Sequence, residues 1–66
     1  MMSRRDFVTI AEVLRKHIDE YDGAGDGGAV LVVDEISRDL ADRFSRSTPA
    51  FERERFLTAC GITPQQ

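Results

Sequence analysis

Cysteine occurs once in this chain, at Cys60, so no disulfide can close within it. With only His17 beside it, the four Cys and His ligands of a structural zinc site cannot be assembled either. No apolar run approaches the ~20 residues of a membrane span. The opening Met1-Met2-Ser3-Arg4-Arg5 leads into an amphipathic pattern rather than the apolar core of a signal peptide, which reads as an intracellular protein. An excess of positive charge is missing too: 9 basic residues face 12 acidic ones, for a net charge of −3 and a pI near 4.9. That balance argues against a general nucleic-acid binder, which replaces counterions around phosphates with its own cations. The acidity is concentrated. Residues 19–35 hold six acidic groups and no basic one, while residues 1–18 carry four basic and two acidic and residues 36–66 five basic and four acidic.

Length is also in short supply. At 66 residues the chain has room for one domain, residues 1–66, and a core below roughly 70–80 residues rarely supplies more than about 3–5 kcal/mol. Small chains make up the shortfall with disulfides, a metal or association. Cys60 and His17 leave association with itself or with a partner.

The pattern that is present is helical. Ser3-Arg4-Arg5-Asp6 has the Ser-x-x-acid form of a capping box, and Phe7, Ile10, Ala11, Leu14, Ile18 and Tyr21 follow at three- and four-residue spacing, on one stripe. The spacing predicts a first helix over about 4–21, stopped at Gly23. Residues 22–28 hold four of the five glycines and read as a flexible connector. Beyond them Ala29, Val32, Val33, Ile36, Leu40 and Phe44 form a second stripe, predicting a helix over about 29–46. Ala29-Val30-Leu31-Val32-Val33 taken alone would also suit a short strand, but no second strand exists for it to pair with. Thr48 is then a candidate N-cap and Pro49 a candidate first residue of a third helix over about 49–60. Gly61 suits the left-handed position after it, and Ile62 the residue that packs back on Leu57. Thr63-Pro64-Gln65-Gln66 reads as a frayed tail. The expected fold is all-α: two long helices and a short C-terminal one, with a Gly-rich loop between the first two.

Chemistry is hard to find on this frame. Asp22, Asp26 and Gly27 stand at positions one, five and six of a calcium loop, but Ala24 at position three and Val33 at position twelve supply no oxygen. Gly23, Gly25 and Gly28 spell Gly-x-Gly-x-x-Gly without a preceding strand, and Asp22 and Asp26 would repel a phosphate. His17 and Cys60 lack the orienting partners that a nucleophile or a general base needs. The expectation is a protein that is not an enzyme, with no catalytic residues, metal or cofactor. Arg43, Arg46, Arg53 and Arg55 surround the junction of helices 2 and 3 and offer an alternative contact for nucleic acid, as in a helix-turn-helix. Glu52 and Glu54 alternate with them and bring carboxylates toward any phosphate.

The stretch from Thr48 to Ile62 resembles the ending of a family of small uncharacterised proteins encoded by phages of actinobacteria, which share Pro-x-Phe-x-x-x-Arg-Phe-Leu-x-Ala-Cys-Gly; here Pro49, Phe51, Arg55, Phe56, Leu57, Ala59, Cys60 and Gly61 fill it. The opening from Ser3 to Ala11 resembles theirs more loosely. The likeness covers about two fifths of the chain and departs in having Thr48 where an Asn is usual. It implies a phage origin and expression in the bacterial host cytoplasm during infection, and carries over no functional residue.

A last feature concerns partners. On helix 2, Leu31 projects almost opposite Leu40 and Phe44, and Val30 sits on the flank, so one buried stripe cannot cover Val30, Leu31, Val32 and Val33 together. Val30 and Leu31 are therefore the expected contact with a protein partner or a second copy, in a homo-oligomer.

Overall fold

A computed structural model describes residues 2–62, in which three helices follow one another: α1 (Arg4–Gly23), α2 (Gly27–Ser47) and α3 (Arg53–Ala59). Residues 29–33 are helical. The Thr63 to Gln66 tail lies outside the described residues.

Helix α1 starts at the capping box anticipated from Ser3: the Asp6 carboxylate accepts from the Ser3 backbone N–H at 2.8 Å and the Ser3 hydroxyl accepts from the Asp6 N–H. It ends at Gly23, where the stop was expected, and the left-handed residue that closes the ending is Gly25, whose φ of +73° costs an L-residue but not glycine. The Asp26 N–H reaches the Tyr21 carbonyl and the Gly25 N–H the Asp22 carbonyl, the paired bonds of a Schellman ending. Asp26 then serves the next helix as its N-cap, its carboxylate accepting from the Ala29 N–H at 3.1 Å. The connector expected over 22–28 is thus only Ala24–Asp26, because a single left-handed glycine and a capping aspartate complete the reversal.

Helix α3 begins later than Pro49. The Phe51 N–H bonds to the Thr48 carbonyl at 2.9 Å, which closes a turn with Pro49 at its second position and carries Phe51 inward before the helix starts after Glu52, whose side chain makes no capping bond. Thr48 ends α2 instead of starting α3. At the far end the expectation for Gly61 and Ile62 holds. Gly61 has φ +83°, Ile62 bonds back to the Leu57 carbonyl, and both Leu57 and Ile62 are buried.

All four phenylalanines of the chain gather at one end. Phe7 and Phe44 have ring centroids 4.9 Å apart, Phe51 sits 4.9 Å from Phe7, and Phe56 5.7 Å from Phe44 in an edge-on contact. The cluster joins the start of α1, the end of α2 and the beginning of α3, so α1 and α2 run antiparallel. The remaining core is built from small side chains: Ala11, Ser37, Ala41 and Cys60 are fully buried, with Leu57 the largest that is. The Ser37 hydroxyl satisfies itself on the Val33 carbonyl at 2.8 Å.

This seam turns α2 away from its expected orientation by somewhat less than the 100° of one residue. Val33, Ser37, Leu40, Ala41 and Phe44 face inward, whereas Val32 and Ile36, expected in the core, are exposed. The reason is α3. It lies along one side of the α1–α2 hairpin, with Arg53 on Asp42 at 2.9 Å and Gly61 beside the Arg15 side chain, and small residues let three backbones converge there.

Candidate interaction surface

The loop half of the hairpin extends beyond what α3 covers, and most of the exposed apolar bulk is there. Leu31 is 69% exposed, Val32 55%, Val13 51%, Ile36 48% and Tyr21 37%. Helix geometry sorts these into two groups. Relative to Ser37, which points at the seam, Leu31 lies on the flank shared with Asp42, the side on which α3 sits, whereas Val32 and Ile36 lie on the opposite flank. On α1, Val13, His17 and Tyr21 likewise project away from Val8 and Arg15, which face α3. The residue before Leu31, Val30, is half-buried.

The arginines take up neighbouring carboxylates. Arg43 pairs with Asp39 at 3.2 Å, Arg53 with Asp42 at 2.9 Å, Arg55 with Glu52 at 3.3 Å and Arg38 with Asp34 at 2.6 Å. Arg46 is exposed in the last turn of α2. The first three pairs are solvent-exposed and each contributes ~0–1 kcal/mol to stability. Their consequence is electrostatic: three of the four arginines that would face a phosphate backbone already have an acid beside them.

His17 and Cys60 are set apart. His17 is exposed, with its ring over Tyr21 at a centroid distance of 6.3 Å and Nδ1 3.8 Å from Glu20. Cys60 is fully buried against the seam. Burial pushes its thiol up to about 11, and the Ser37 hydroxyl beside it, able to donate to a thiolate, pulls more weakly the other way. A nucleophilic cysteine needs the reverse shift.

One concavity of about 280 Å³ opens between the first turns of α1 and α3. Phe7, Val8, Ala11, Phe51, Phe56 and Ala59 line it, and Arg4, Glu52 and Arg55 form part of its rim. Among the described residues no three His, Cys, Asp or Glu side chains gather as metal ligands, and no helix is long and apolar enough to cross a membrane. No family model, curated protein or solved structure matches the chain.

Leu31 stands outside the buried stripe by helix angle alone, whereas the exposure of Val32 and Ile36 does not follow from the expected stripes. Ser37 is the residue that signals it: a small side chain one turn from both Val33 and Ala41 suits a close helix approach, and a stripe centred on it leaves Val32 and Ile36 outside.

Proposed function

We propose that this is a small phage-encoded interaction protein that acts by binding to itself or to a host or phage protein, with no chemistry of its own. The observation that carries the proposal is the exposed apolar surface of the loop half, Leu31 on the flank of α3 and Val13, Tyr21, Val32 and Ile36 on the opposite flank. Soluble domains of this size do not ordinarily leave several large apolar side chains together in water. A partner that covers them gains the burial that the chain's own core is too small to provide. The resemblance of the C-terminal stretch supports the phage origin and, with it, action in the host cytoplasm. Val30, half-buried next to Leu31, is the second residue of the proposed contact. Nucleic acid is the alternative partner, through Arg43, Arg46, Arg53 and Arg55; the carboxylates beside Arg43, Arg53 and Arg55 weaken that case.

Capture experiments with the tagged full chain in actinobacterial lysate, with and without nuclease, test this reading. The expected result is a discrete protein, or the chain itself, retained after nuclease treatment. Loss of all captured material on nuclease treatment would point to the arginines instead.

A further inference from the structure

The flank of the hairpin opposite α3 has an internal symmetry. Contact between Phe7 and Phe44 fixes the register of the two antiparallel helices, so that moving inward one residue at a time brings His17 level with Asp34 and Tyr21 level with Val30. On α1, Val13 and Tyr21 stand four residues to either side of His17; on α2, Ile36 and Val32 stand two residues to either side of Asp34. A twofold axis crossing the helices at the level of His17 exchanges each apolar side chain with another.

We propose that this flank is the docking surface for a second copy of the chain, which lies antiparallel to the first and completes a four-helix bundle. The proposal rests on the interaction reading above and names its partner. In the pair, Val13 of one copy meets Tyr21 of the second, Ile36 meets Val32, and the two His17 rings meet on the axis, where one ring N–H donates to the bare nitrogen of the other. With the axis at His17 and Asp34, the lengths that overlap are residues 11–23 of α1 and 27–41 of α2, each ~20 Å, so the two helices side by side present roughly 400 Å² per copy and a pair buries on the order of 800 Å², the size of a weak, reversible interface.

Charge selects the antiparallel arrangement over the parallel one. Residues 13–36, the loop half, hold two basic groups and six acidic ones, a net −4; the rest of the chain holds seven basic and six acidic, a net +1. A parallel pair stacks two strongly negative ends on each other. An antiparallel pair sets each against the slightly positive end of its neighbour, with Arg43 brought over the acidic loop. Leu31, on the other flank, stays uncovered in the pair and available to a different protein.

Sedimentation equilibrium of the full chain at micromolar concentrations tests the proposal together with disulfide trapping. Wild type is expected at twice the 7.4 kDa chain mass. Ile36→Glu weakens dimerisation about tenfold or more with helical circular dichroism retained, while Leu31→Glu leaves it unchanged. On oxidation, chains carrying Val13→Cys should cross-link to chains carrying Tyr21→Cys and not to themselves, and His17→Cys chains should cross-link to each other. These trapping variants decide the matter even if Ile36→Glu fails to fold. A monomeric wild type, or self-linking of Val13→Cys, overturns the antiparallel pair. A monomer that still captures a discrete host protein through Leu31 would do so while leaving the interaction reading intact.

Discussion

At Cys60 a reactive group is held in its unreactive form, and the consequence is a measurable pH dependence. The folded thiol ionises near 11 rather than at 9.0, because burial disfavours the thiolate. An unfolded chain releases the same proton near the lower value, so above it the unfolded state binds fewer protons and gains on the native one. The contribution is therefore whole below pH 9 and is lost as pH climbs from 9 through about 11. Denaturant midpoints measured across that range are expected to fall, and to fall less steeply in Cys60→Ala, which keeps the other titrating groups. Equal slopes in both proteins would show that the thiol is not the source.

Among the elements, the glycines separate into those that geometry demands and those it tolerates. Gly25 is left-handed with open space around it, so Gly25→Ala is expected to cost about 1–2 kcal/mol through backbone strain alone. Gly23 is the last residue of α1, in open space and without a left-handed φ, and Gly23→Ala is expected to gain about 0.5 kcal/mol. Thermal melts of the two variants should move in opposite directions. That contrast also shows how far the sequence was legible. Ser3 and Asp6 announced the start of α1, and Gly61 with Ile62 announced the end of α3, because caps are local and their donors and acceptors lie within a few residues. Gly23 was read correctly as the stop of α1, but the connector was drawn too long, because the glycines between residues 23 and 28 offer similar freedom and only the pairing of Asp26 with Ala29 puts Gly27 and Gly28 inside α2. Pro49 misled for a tertiary reason: Phe51 is drawn into the aromatic cluster, which requires a turn where a helix was possible. The exposed face was half legible. Leu31 stood out by angle alone, whereas the exposure of Val32 and Ile36 depends on which side α3 occupies.

For the whole molecule, the four phenylalanines concentrate the largest contacts at one end and leave little reserve elsewhere. Truncating a buried aromatic costs about 3–5 kcal/mol, and a domain of this length holds about as much in total. Phe56→Ala, which removes the buried ring touching Phe44 and Phe51, is expected to leave a largely unfolded chain by circular dichroism at room temperature. Retention of a cooperative melt near the wild-type midpoint would mean that the core's weight lies in the small-residue seam. The links between helices, three residues from Ala24 to Asp26 and five from Thr48 to Glu52, have a kinetic consequence. Contacts across such short connections have low contact order, and helical domains of that kind fold in roughly microseconds to milliseconds. Fast folding combined with slender stability requires fast unfolding as well, since the ratio of the two rates is the equilibrium constant. The chain therefore opens and recloses many times before a protease can cut it. Its survival in a cell is set by the fraction open at any instant, and any molecule that binds only the closed form lengthens its lifetime in proportion to occupancy.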